Sequence, residues 1–324
     1  MSRLTAALAA VTVLTVTASG CVTVHGEREV VPSATRAEAA QALRDFTDAY
    51  NKADKAFDPA LDAGRVTGPL GAVNQAGLKA RHVTDPGGNP QHVPLELTDA
   101  KFAIPRKAGW PRWFVADTDS NRDREGGPDD TRWLLVFVRG GADDVWKAAH
   151  LSVLAPKDVP ALAVDPDGFA EPVRPDEPGL AVAPKDLSES YVSYLRTGRP
   201  EAFAPGPHTT QWRDQRKKNA VLPGMSTQYV DQPLDTGDFA PLSLRTRDGG
   251  ALAFFATRHF ERQTAAKGVR LNINADVRAL MTGDARSSVT KERVSDDAAV
   301  VPPAGRGPVL VINRLQGLVS AKGE

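Results

Sequence analysis

Cysteine is almost missing: Cys21 is the only one in 324 residues. A lone thiol closes no internal disulfide and supplies no cysteine cluster for zinc or iron. An excess of one charge is missing too, because 40 Lys and Arg meet 40 Asp and Glu. No basic face is evident, and no nucleic-acid partner is expected. Long apolar runs are absent as well. The longest, Leu4 to Val16, falls short of the ~20 residues that cross a bilayer. Catalytic signatures are equally scarce. The six histidines, at 25, 82, 92, 150, 208 and 259, contain no pair four apart on one helix face. The Gly-x-Ser-x-Gly elbow, the Gly-x-Gly-x-x-Gly turn and the phosphate loop do not occur. Ser288 and Lys291 form a Ser-x-x-Lys, but no Lys-Thr-Gly accompanies it. No cofactor is expected.

What is present begins at the amino terminus. Arg3 supplies a positive charge, an apolar run follows, and Ala18, Ser19 and Gly20 stand directly before Cys21. This is the layout of a signal peptide. The string ASGC resembles the lipobox of bacterial lipoprotein precursors, with Ala18 where the usual residue is leucine. That resemblance implies lipidation of Cys21, cleavage after Gly20, and a membrane partner reached through the lipid, on the extracytoplasmic face. A plain secretory peptide with an incidental cysteine is the alternative. One acyl chain holds a protein weakly and two hold it durably.

The remainder divides into segments expected at 21–34 (tether), 35–155 (first α+β module), 156–184 (proline-rich linker) and 185–324 (second α+β module). Thr35 with Glu38 makes a capping box. Ala39, Leu43, Phe46, Tyr50, Ala53 and Phe57 then recur at spacings of three and four, which predicts a helix of about 22 residues. A second, shorter helix is expected in LGAVNQAGLKARHV. Four strands are expected in PLELTDAKFAI, RWFVAD, TRWLLVFVRGG and VWKAAHLSVL, the third central because both its faces are apolar. His150 is expected to share a face with Trp146, and His259 with Phe255. Past seven prolines between 155 and 186, a helix is predicted to end at Gly198, a hairpin to turn at Asp248–Gly249–Gly250, and VRLNINADV to form a strand.

Helix first and antiparallel strands last, in both halves, resembles the NTF2-like or cystatin-like α+β fold. The stretches FTDAYNKADKAFD, GPLGAVNQAGLKAR, GWPRWFVAD, WLLVFVRGGADDVWKAAHLSVL and PALAVDPDGFA resemble uncharacterised lipoproteins of Streptomyces and related actinobacteria. The fold resemblance implies a cone between helix and sheet. Tyr50, Asp54, Trp113 and Trp133 are candidates to line it in the first half, and Tyr194, Trp212, Phe255 and His259 in the second. Ordinary core packing is the alternative for each. Asp117, Asp119, Asn121 and Asp123 alternate like calcium ligands, but Arg122 and Pro128 stand where glycine and glutamate belong, so no metal is expected. Three functions stay open: a lipid-anchored envelope module that binds a small ligand or an envelope protein, a small-molecule enzyme with a pocket acid or base, and a structural envelope component.

Overall fold

A computed structural model describes residues 29–324; the segment expected to be a signal peptide, with Ala18, Ser19, Gly20 and Cys21, lies outside them. A short strand β1 (Val31–Pro32) leads into helix α1 (Arg36–Ala56). Thr35 Oγ1 accepts from the Glu38 amide at 3.1 Å and Glu38 accepts from the Thr35 amide at 2.7 Å. The capping box thus forms as the sequence predicts. Helix α2 (Gly68–Thr84) follows, with Pro69 in its first turn, where a missing amide hydrogen costs nothing.

Strands β2 (Leu97–Ala103), β3 (Arg106–Lys107), β4 (Arg112–Ser120), β5 (Arg132–Arg139) and β6 (Lys147–Leu154) come next. Four of them form an antiparallel sheet in the order β2-β4-β5-β6, while β3 pairs with β1. The apolar character of both faces of β5 has a direct cause. Leu135 and Phe137 pack under α1, with the Phe46 and Phe137 rings edge to face at 5.9 Å, and Leu134 and Val136 pack against a second sheet.

That second sheet is built after α3 (Leu187–Thr197) and α4 (Trp212–Asn219). Its strands are β7 (Val221–Leu222), β8 (Met225–Leu234), β9 (Leu242–Arg245), β10 (Ala251–Ala265), β11 (Met281–Thr282), β12 (Ser288–Val301) and β13 (Leu310–Gly323). The order is β11-β13-β12-β10-β8-β7, with β9 paired to β10. Gly198 closes α3 in the left-handed region at φ 82°, and the Asp248–Gly250 hairpin forms with Gly249 at φ 87°. Both helix and hairpin lie where the sequence puts them.

Three expectations need correction. The segment VRLNINADV is not a strand: Asn274 Oδ1 accepts from the Val277 amide and starts α5 (Ala275–Leu280). Its alternation reflects Leu271, Ile273 and Val277 packing on Val289 and Ala321. His150 does not share a face with Trp146, because the register slips between Val136 and Phe137. The slip turns His150 toward Phe254 while Trp146 packs on Phe114. The proline-rich segment, expected as a linker, packs into both halves. The Ala170 amide donates to Ile104 in the first half, and the Val173 and Ala181 amides donate to Ser243 and Pro302 in the second. Prolines cannot donate, but the residues between them can, and Ala170, Val173 and Leu180 become core. The two sheets then share one apolar layer, with Trp113, Val115 and Val136 against Leu244, Leu252, Phe254 and Ala298.

Candidate functional site

Strand β6 ends the first sheet and would present bare amides to water. Two devices cover it. Arg65 O and the Thr67 amide bond Ala148, and side chains from the second sheet take the amides further on. Asp296 accepts from the Leu151 amide at 2.7 Å and Asn313 from the Val153 amide at 3.2 Å. Asp296 also accepts from His150 Nδ1 at 2.7 Å. The carboxylate is thus buried where the halves meet, and burial pushes its pKa up against the pull of His150 and the Leu151 amide. His150 Nε2 is buried without a partner among the described residues.

Asp296 is the floor of a cavity of about 420 Å³. One stripe of α2 faces it, with Leu70, Val73, Asn74, Gly77 and Arg81 at spacings of three and four. Phe46 and Tyr50 of α1 and Trp133 of β5 add an aromatic wall. Leu315 and Leu318 of β13 and Asp276 and Leu280 of α5 close the far side. Close approach of α2 to β13 depends on Gly317, where a Cβ would lie 2.2 Å from Val73 Cγ1. Gly77 is the opposite case: a Cβ there would meet nothing within 4 Å, although glycine inside a helix costs ~0.5–1 kcal/mol relative to alanine.

Most polar groups on this wall are already engaged. Asn74 donates to Asp62 at 2.6 Å, Gln316 accepts from Arg314, and Arg81 reaches Asp54 at 3.5 Å. Asp54 also accepts from Asn89 at 3.0 Å and lies 2.8 Å from His92 Nδ1. Burial raises the Tyr50 phenol, and the Asp54 charge adds to the effect. Such a space suits an apolar molecule with one polar end.

The expected cavity residues therefore separate. Tyr50 and Trp133 meet at the cavity, with Asp54 beside its rim. Trp113 points to the opposite face and is core between the sheets. Tyr194 of α3 and Phe255 of β10 are core between helix and sheet, and Tyr194 packs on Phe203 at 5.2 Å. Trp212 lies between two guanidinium groups, Arg314 at 4.1 Å and Arg216 at 4.9 Å. His259 keeps the face it shares with Phe255, but it enters a buried network instead of a cone. Its Nδ1 lies 2.6 Å from Asp231, which Arg216 holds at 2.7 Å.

Thr257 joins this network to Asp297. Its oxygen is 2.9 Å from His259 Nε2 and 3.0 Å from Asp297, yet a hydroxyl carries one proton. Thr257 donates either to the Asp297 carboxylate or to His259 Nε2; in the second pattern a protonated Asp297 donates to Thr257 and His259 donates to Asp231, with Arg216 and Arg314 flanking the chain. Burial favours those states. It pushes Asp297 up to about 7 against Arg314, and His259 down to about 4 against the Asp231 hydrogen bond. Burial would also raise Asp231, but the bonds from His259 and Arg216 hold it at about 2.

The alternating aspartates do not converge as calcium ligands. Asp117 and Asp119 sit on β4 and bind Arg132, Asp117 at 2.6 Å. Sequence reasoning missed Asp296 and Gly77, and it placed His150 on the wrong face. Asp296 sits in a strand segment, SDDAAVV, where two adjacent acids point to opposite buried faces. That was the available signal, since adjacent strand residues cannot both face water when both faces are covered.

The profile described as Domain of unknown function (DUF8094) matches residues 30–323. An uncharacterized lipoprotein of Streptomyces avermitilis is 54% identical over 325 residues, covering 99% of this chain and 96% of the relative. An uncharacterized lipoprotein of Streptomyces coelicolor is 56% identical over 317 residues, covering 98% and 94%. A second from S. coelicolor is 27% identical over 289 residues, covering 82% and 76%. No solved structure matches. No helix among the described residues is long and apolar enough to cross a membrane. With a matching profile across nearly all of its described residues, the chain belongs to the DUF8094 family, and two Streptomyces proteins named as uncharacterized lipoproteins are more than half identical to it.

Proposed function

We propose that this chain is a lipoprotein anchored through Cys21 to the outer face of the cell membrane, and that it binds a small, mainly apolar molecule between its halves. The observation that carries the reading is the cavity of about 420 Å³, aromatic on one side and floored by a buried carboxylate. The helix pair over a four-stranded sheet also supports reading the first half as an NTF2-like cone. The lipoprotein names of the close relatives support the anchor. Changing Cys21 to Ser is expected to release the protein from membranes or leave it unprocessed; unchanged membrane retention and mass would remove the anchor.

Gly77 provides the test of the cavity. A phenylalanine at this position enters open space instead of displacing packed atoms, so Gly77→Phe fills the cavity with α2 in place. Native mass spectra of residues 22–324 from an actinobacterial host are expected to show extra mass that denaturation removes, and the variant is expected to lack it. Equal ligand mass on both proteins would sink the reading. An enzymatic reading is favoured by one observation, Asp296 on the cavity lining with the buried His150 bonded behind it. It predicts that the released molecule is chemically altered when incubated with the wild type and unaltered with Asp296→Asn.

A further inference from the structure

The cavity has two walls of different chemistry. Phe46, Tyr50 and Trp133 stand on the first half's side, and aromatic faces carry negative potential that attracts cations. On the second half's side stand Asp296 at the floor and Asp276 near the rim. Asp276 is exposed and makes no salt bridge or side-chain hydrogen bond among the described residues. Arg81 is the one cationic side chain on the lining, and Asp54 engages it from outside the cavity. Both walls therefore favour positive charge, and the positive charge already present is matched elsewhere.

We propose that the ligand is a lipophilic amine: an apolar body in the cavity, with a cationic nitrogen held between the aromatic wall and the Asp296 carboxylate, and with Asp276 adding negative charge near the rim. The inference rests on the cavity reading above. Asp296 has one oxygen on His150 Nδ1 and the other on the Leu151 amide, and each carboxylate oxygen has a second lone pair to offer. An ammonium at the floor supplies the countercharge that makes a buried carboxylate tolerable, which a hydroxyl or a second carboxylate does not. A fatty acid would place its charge against two aspartates and is rejected by the same wall that holds an amine. The aliphatic sides, Leu70, Val73, Leu315 and Leu318, hold a chain or ring without selecting its polar end.

The test uses the whole mature chain, residues 22–324, titrated calorimetrically at neutral pH with dodecylamine, dodecanol and dodecanoic acid, each below its aggregation limit. The amine is expected to bind at least ~10-fold more tightly than the alcohol, the difference one charge-assisted hydrogen bond provides, and the acid is expected to bind worst. Asp276→Asn and Asp296→Asn are each expected to narrow the ratio of amine to alcohol while leaving alcohol affinity in place. Equal binding of the three, or tightest binding of the acid, overturns the amine assignment and leaves the cavity reading intact. No binding of any of them, or binding that persists in Gly77→Phe, overturns both. If Asp296→Asn loosens the fold, the wild-type ratio and Asp276→Asn decide alone.

Discussion

His259 and Asp297 lie on one hydrogen-bonded chain, and burial disfavours the charged form of both, yet they pull stability in opposite directions as pH changes. His259 falls from an ordinary 6.5 to about 4. Between those values the unfolded chain takes up a proton that the folded chain refuses. Its contribution is therefore complete above 6.5 and is lost as pH drops toward about 4. Asp297 rises from 3.8 to about 7. Here the folded chain keeps a proton that the unfolded chain releases, so its contribution is complete below 3.8 and is lost as pH rises through about 7. Denaturant titrations at a series of pH values separate the two. The wild-type advantage over Asp297→Asn is expected to shrink with rising pH, and the advantage over His259→Gln to grow, each by up to ~1.4 kcal/mol per pH unit. An advantage that stays constant across this range would contradict the assignment for that residue. Asp231, held at about 2, stays charged throughout and contributes no slope there.

Among the elements, helix α1 depends most on local sequence. Its first turn is closed by Thr35 and Glu38 reciprocally, and its last by Phe57 in the left-handed region at φ 49°. Thr35→Ala removes the side-chain acceptor for the Glu38 amide while the backbone amide at 35 still donates to the Glu38 carboxylate, so a loss of ~1 kcal/mol in unfolding free energy is expected. A loss below ~0.3 kcal/mol would mean that packing of Phe46 and Leu43 alone fixes the helix start. The same locality explains what was legible. The capped helix, α2, the apolar strands β4 and β5 and the Asp248–Gly250 hairpin all carry their instructions within a few residues. Where distant contacts decide, the sequence misled. VRLNINADV alternates because its apolar residues fill one small cluster, and Asn274 decides its conformation. His150 alternates correctly until one register slip moves it to the other face. Tyr50 and Trp133 were legible as aromatics in helix and strand. Asp296 was not, because its partners His150 and Leu151 lie nearly 150 residues away in the chain.

For the whole molecule, the question is whether two halves unfold as one. Composition suggests a hinge, since seven prolines fall between residues 155 and 186. Packing argues otherwise on three counts. Ala170, Val173 and Leu180 from that stretch are core, Phe254 of the second sheet packs on the face of β5 that α1 leaves bare, and Asp296 and Asn313 cap the open edge of β6. Each half alone would expose an apolar sheet face and bare amides, a cost set against a small domain's margin of only ~5–15 kcal/mol. Calorimetry of residues 22–324 is therefore expected to give one cooperative transition, and cleavage within 165–183 to yield halves that stay associated or lose their separate transitions. Phe254→Ala tests the coupling without breaking the chain. The ring contributes ~3–5 kcal/mol to a packed core, and its loss is expected to lower a single midpoint reported alike by first-half and second-half signals. Two transitions, only one of them shifted, would show that the halves stand independently and that the shared layer between the sheets holds little of the fold.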